Sequence, residues 1–206
     1  MEKIPFAQKD SLAKEDKYER QFRSYMEYLD LSNEDLQKPL LDVGAGDTAF
    51  IQYLRSVLGN KQAYGVEMRA GELGSPKEGA VQANGFNLPF KDCAFDIVTA
   101  KHYLPQFVNN EDEMVQALNE LIRVTTTGGK IVGDIATPEK ELAKLNEETD
   151  EKTKVWLRNR YEGAKKLQVF LEQLKTAGHK VDFKEGPKSQ FKDGPLASKI
   201  VTIYKA

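Results

Sequence analysis

The chain has one cysteine in 206 residues, and its 30 basic and 32 acidic side chains nearly cancel, so it lacks both a thiol pair and a field of one sign. Cys93 alone can form no disulfide within the chain, and it supports neither a two-cysteine metal cluster nor a dithiol redox pair. A formal charge of -2 gives none of the global positive potential that drives binding to a polyphosphate, which makes nucleic acid a disfavoured partner. Nowhere do about 18 apolar residues run together, and Met1-Glu2-Lys3-Ile4-Pro5 opens without the apolar core of a secretion signal. No internal repeat or interdomain linker is evident. These absences lead to the expectation of a cytoplasmic, single-domain protein with no membrane span and no metal site.

A hydrophobic content of 40% is enough to pack one core at this length. From Gln8 to Leu31, Leu12, Tyr18, Phe22, Tyr25, Met26 and Leu29 recur at spacings of three and four, which predicts an amphipathic helix. Short strands are predicted at Pro39 to Val43, Ala63 to Val66 ending at Glu67, Ala80 to Ala83 ending at Asn84, Phe95 to Ala100, Lys130 to Ile135, Lys180 to Lys184 and Lys199 to Tyr204. Helical patterns lie between them, at Phe50 to Leu58, at Glu111 to Val124, and over a long charged stretch from Pro138 to about Gly178. Strands alternating with helices predict a parallel α/β sheet. Residues 1–37 are expected to form a helical lid on a core of residues 38–206, in which 138–176 is one long helical segment.

The most informative stretch is Leu40-Leu41-Asp42-Val43-Gly44-Ala45-Gly46-Asp47-Thr48-Ala49, an apolar strand running into a glycine turn and then a helix. Such a turn lets the backbone approach a ligand closely and aims unpaired helix N–H groups at it. Gly44-x-Gly46-x-x-Ala49 fits the dinucleotide pattern G-x-G-x-x-G/A, with Glu67 placed where a ribose-binding acid would sit. Asp42 separates two readings, since a dinucleotide turn usually keeps that position apolar, whereas an acid there can face the amino group of a bound amino acid.

With Asp42 included, Asp-x-Gly-x-Gly resembles motif I of the class I S-adenosylmethionine-dependent methyltransferases. The segment Asn84-Gly85-Phe86-Asn87-Leu88-Pro89-Phe90-Lys91-Asp92-Cys93-Ala94-Phe95-Asp96-Ile97-Val98 is similar to the D-A-x-x-L-P-F…F-D-x-V segment of the type 11 members, relatives of the quinone-biosynthesis enzymes. The resemblance implies a Rossmann-like, seven-stranded, mostly parallel sheet with an antiparallel last strand and helices on both faces. It also implies S-adenosylmethionine as methyl donor, S-adenosylhomocysteine as product and a small-molecule acceptor.

Carried over residue by residue, Gly44, Ala45 and Gly46 supply the close backbone approach. Asp42 faces the methionyl amino group, directly or through water, and Glu67 takes the ribose hydroxyls. Met68 lies against the adenine face, Asn84 and the Gly85 N–H meet the adenine edge, and Lys101 borders the methionine portion. This chain departs from the family at Thr48, where glycine is frequent and whose hydroxyl is expected to bond within the first helical turn. It departs again at Asn84 in place of aspartate, and at Thr127-Gly128-Gly129 in place of Pro-Gly-Gly.

His102 follows the fourth strand at the mouth of the expected pocket, and imidazole suits proton transfer, so it is the candidate catalytic base. Asp96 is read as capping backbone N–H groups, Cys93 as inert and His179 as structural. Trp156 and Tyr161 are read as core aromatics at helical spacing. Two rival functions stay open at this point: a cofactor-binding protein of the same fold without an acceptor site, and a nicotinamide-dependent oxidoreductase.

Overall fold

The computed structural model describes residues 17–73, 77–106, 110–186 and 199–206. Its seven strands are β1 (Leu40–Val43), β2 (Ala63–Glu67), β3 (Ala80–Gln82), β4 (Phe95–Ala100), β5 (Thr125–Ile135), β6 (Lys180–Glu185) and β7 (Lys199–Tyr204). They form one sheet in the order β3-β2-β1-β4-β5-β7-β6. Pairings from β3 across to β5 are parallel, and β7 runs antiparallel to both of its neighbours. This is the Rossmann-like mixed sheet that the resemblance implies.

The helices are α1 (Lys17–Leu29), α2 (Ala49–Ser56), α3 (Ala70–Leu73), α4 (Glu111–Val124), α5 (Pro138–Glu147) and α6 (Glu151–Thr176). One core face of the sheet carries Leu41, Val43, Val98, Ala100, Ile131 and Ile135 and packs against α4 and α6. The other carries Leu40, Ile97 and Val132 and packs against α1 and α2. Strand alternation makes both faces apolar, as a sheet covered on both sides requires.

Two boundaries that differ from the sequence expectation have a local cause. Residues 138–176 are two helices, because Glu148 is extended and Asp150 caps a fresh start by accepting from Thr153 N (2.7 Å) and Thr153 Oγ1 (2.8 Å). Strand β5 begins at Thr125, ahead of Gly128-Gly129: Gly128 adopts φ +78° within a bulged strand, and the register with β4 shifts between Phe95 and Ile97. The predicted first helix is observed from Lys17 onward, its part before that lying outside the described residues.

Candidate functional site

At the carboxyl ends of the central strands, polar residues replace apolar ones on the face that meets α1. Leu40 is followed two positions on by Asp42, Ile97 by Thr99, and Val132 by Asp134; a period of two keeps each on the same face as its predecessor. Asp42 and Thr99 are register partners, and Asp134 is one step beyond the Ala100–Gly133 pair. All three are buried, Asp42 completely and Asp134 to 1% exposure. A buried carboxylate is costly unless hydrogen-bonded, and each of these is.

Asp42 accepts from Thr99 Oγ1 (2.7 Å) and from Tyr25 Oη of α1 (2.9 Å). Burial pushes its carboxyl up to about 7, while those two hydrogen bonds and nearby Lys101 pull in the opposite direction. Asp134 accepts from the His102 backbone N–H and, through Oδ2, from Tyr28 Oη of α1 (3.3 Å), and the His102 Nδ1 lies 3.1 Å from the same oxygen. Lys101 donates to Ser24 Oγ (2.7 Å) and lies over the rings of Tyr25 (4.7 Å) and Tyr28 (5.3 Å). Burial lowers its ammonium pKa, against the opposing pull of Asp42 and Asp134.

Helix α1 therefore sits across the top of β1, β4 and β5 through polar contacts as well as packing. Lys17 at its start forms an ion pair with Asp47 of the glycine turn. Its aromatic face stacks on α2, with Phe22 against Tyr53 (4.3 Å between ring centroids) and Tyr25 against Phe50 (4.1 Å). Three acidic residues near the turn, Asp42, Asp47 and Asp134, each have a partner on α1 that the sequence reading did not identify.

The turn itself carries Gly44 at φ +78° and Gly46 at φ +54°, left-handed conformations that favour glycine. Gly44 and Ala45 both donate to Val66 O of β2 (2.9 Å each), and Gly46 N donates to Glu67 Oε2 (3.1 Å). The other Glu67 oxygen accepts from Arg69 N (3.0 Å). Glu67, 7% exposed, thus fixes the turn from the end of β2, while Met68 beside it is 59% exposed. Thr48 corrects an expectation: it lies at φ +60°, its hydroxyl makes no capping bond, and its buried Oγ1 has no hydrogen-bond partner among the described residues. Asp47 caps α2 instead, its Oδ1 accepting from Ala49 N (3.0 Å).

Asn84 is exposed, and its Oδ1 accepts from Phe86 N (3.0 Å), so this oxygen shapes the loop after β3. Gly85 behind it is packed by Tyr103: a methyl group added at Gly85 would lie 2.8 Å from Tyr103 Cζ and nearer still to its hydroxyl. A methyl group at Gly44 would lie 3.2 Å from Tyr103 Cδ2. The Tyr103 ring thus spans from the glycine turn to the Asn84-Gly85 loop, and burial raises its phenol pKa.

Elsewhere, Asp96 accepts from Thr126 Oγ1 (2.7 Å), a side-chain hydroxyl rather than the backbone groups expected. Trp156 is 49% exposed instead of core, with Arg160 over its ring (4.9 Å). Arg160 also binds Glu141 of α5 (2.8 Å) and Pro105 O in the segment after β4 (3.1 Å). Tyr161 is half-buried, with Lys165 over its ring. Cys93 is exposed, and His179 Nδ1 accepts from Ala206 N (3.1 Å).

Residues 41–133 match the model of a methyltransferase domain. Over 92 residues the chain is 35% identical to an uncharacterized protein of Methanocaldococcus jannaschii, a match covering 45% of this chain and 43% of that protein, so the chain matches less than half the length of this relative. Among solved structures it is similar to the plantazolicin methyltransferase BpumL in complex with SAH, at 10% identity and TM-score 0.57 over 92% of this chain and 82% of that one. It is also similar to a SAM-dependent methyltransferase from Thermotoga maritima described as a possible histamine N-methyltransferase, at 19% identity and TM-score 0.55 over 92% and 91%. A third is a SAM-dependent methyltransferase from Methanosarcina mazei, at 17% identity and TM-score 0.53 over 82% and 92%. The match over residues 41–133 thus likens this part of the chain to a methyltransferase domain, and the strand order gives the described sheet the fold of the S-adenosylmethionine-dependent methyltransferases to which it is similar.

Proposed function

We propose that this chain is an S-adenosylmethionine-dependent methyltransferase acting on a small-molecule acceptor. The observation that carries the reading is the left-handed Gly44-Ala45-Gly46 turn set between two buried carboxylates, Asp42 beneath it and Glu67 beside it. A donor that is at once a sulfonium, an amino acid and a nucleoside suits these groups. Asp42 pays a desolvation cost that a nearby cation would offset, and Glu67 is a carboxylate held at the end of β2 for paired hydroxyls. Thr48 Oγ1 adds a buried polar atom without a partner among the described residues. Asp42, Gly44, Ala45, Gly46, Glu67, Met68, Asn84, Gly85 and Lys101 would hold the donor.

The bound donor supplies an activated methyl group, so the chain's own contribution is mainly to orient two reactants and exclude water. Helix α1 and the Pro138 to Arg160 region flank the site as lids, and His102 is the base for an acceptor that must lose a proton. The second reading is a cofactor-binding protein of the same fold that has no acceptor site.

Isothermal titration of the full chain with S-adenosylhomocysteine and with NAD checks the main reading. Binding of the former and no response to the latter is expected, with Asp42→Asn and Glu67→Gln each weakening the binding by about tenfold or more, since each removes a charge-assisted contact of about 1.5–3 kcal/mol. No heat with S-adenosylhomocysteine, and no effect of either variant on any ligand response, would reject it. Binding without methyl transfer to any member of a broad acceptor panel would favour the second reading.

A further inference from the structure

We propose that Asp134 is the positioning residue of His102: it holds Nδ1 as a donor, so that Nε2 accepts a proton from an acceptor whose nucleophilic atom is a hydroxyl oxygen or an N–H nitrogen. The proposal rests on the methyltransferase reading above.

The geometry is specific. Asp134 takes the His102 backbone N–H on Oδ1 and faces Nδ1 with Oδ2 at 3.1 Å, so one carboxylate fixes both the main chain and the ring of the same residue. His102 adopts φ +57°, a left-handed conformation unusual for a side chain with Cβ, and the double contact holds it there. Tyr28 of α1 donates to the same Oδ2, and its ring meets the imidazole edge-on at 5.0 Å between centroids. With donors converging on it, Asp134 acts as an acceptor, which makes Nδ1 the protonated nitrogen and leaves the lone pair on Nε2. The imidazole is more than half exposed while its carboxylate is buried, the arrangement of a base that meets a ligand and is oriented from behind.

The balance of the step is simple. As the acceptor's bond to the methyl carbon forms, the carbon–sulfur bond breaks with its electron pair on sulfur, and the acceptor's proton passes to Nε2. The resulting imidazolium is stabilised by Asp134 and returns its proton to water. A thioether or tertiary amine has no such proton and would make no use of the pair.

The other histidine supplies an internal standard. His179 Nδ1 accepts from the Ala206 N–H, so its proton sits on Nε2, opposite to the tautomer assigned to His102. Long-range 1H–15N correlation spectra of the full chain, labelled with 15N-histidine and recorded near pH 8, distinguish the two; His179→Gln assigns the signals. The expected result is an Nδ1–H tautomer for His102 in the unsubstituted protein and a shift toward Nε2–H in Asp134→Asn. Among the described residues, the charged or titratable groups around the ring include Asp134 on β5, Tyr28 on α1 and the neighbouring Lys101, with Asp42 farther along the same face.

An Nε2–H tautomer for His102 in the unsubstituted protein overturns the proposal, and that spectrum decides it even if Asp134→Asn does not fold. With S-adenosylmethionine and a panel of phenols, primary amines and thioethers, His102→Gln and Asp134→Asn are expected to lower kcat for phenols or amines about 100-fold or more, with KM little changed. Turnover of thioethers alone overturns the acceptor class. Titration with S-adenosylhomocysteine on the same samples keeps the outcomes apart: a correct tautomer without binding faults the methyl-donor reading, and binding with the wrong tautomer faults this one.

Discussion

Gly85→Ala is expected to destabilise the protein by about 2–3 kcal/mol, lowering Tm by roughly 5–10 °C, and the loss should largely vanish in a Tyr103→Leu background. Gly85 does not need its conformational freedom, since its backbone lies outside the left-handed region. It needs only the space, because a Cβ there would run into the Tyr103 phenol ring. Tyr103 is buried against the top of the sheet, so the ring cannot swing away without losing its packing. Urea unfolding of the two single variants and the double variant gives the coupling energy directly. Independent, additive losses would show that the two residues do not touch.

Asp42→Asn is expected to change how stability depends on pH. Burial raises the Asp42 carboxyl from the ordinary 3.8 to about 7, so between these values the folded protein binds a proton that the unfolded chain does not. The group costs nothing below pH 4, and its penalty grows as pH rises through 7, reaching about 4 kcal/mol. Asparagine keeps an acceptor for Tyr25 and Thr99 but carries no charge. The stability of Asp42→Asn relative to the unsubstituted chain should therefore increase by about that amount between pH 4 and pH 8. Taking the difference between the two proteins cancels the other carboxylates, several of which titrate in the opposite sense, among them Asp35 and Glu141. A difference flat across the range would mean that Asp42 ionises as it does in water.

The strand pattern was legible because the sheet is covered on both faces, and apolar runs such as Phe95 to Ala100 survive in the sequence as runs. The glycine turn was legible because it requires residue types that are rare elsewhere. What the sequence hid was tertiary. Nothing local tells that Tyr25, read on the apolar face of a helix, and Tyr28 beside it donate their hydroxyls to Asp42 and Asp134 of the sheet. Asp134 did leave a trace: like Asp42, it is an acid interrupting an apolar strand two positions after a core residue, and the same reasoning applied to Lys130 to Ile135 would have found it. Thr48 and Trp156 failed for another reason. The first-turn N–H of Ala49 goes to Asp47 rather than to Thr48, and the Trp156 ring stays at the surface with Arg160 over it, outcomes that helical spacing does not distinguish.

Trp156 is the chain's only tryptophan, and that gives the fold an optical readout of its own. The guanidinium over its indole is the one that also grips Pro105 O, close after His102, and Glu141 on α5. Emission excited at the indole band therefore comes from a single site, mechanically tied to the segment that follows His102. Substitution of Arg160 by Met should alter the emission without a label or an acceptor in hand, and any ligand that moves the Pro105 segment should do so through the same contact.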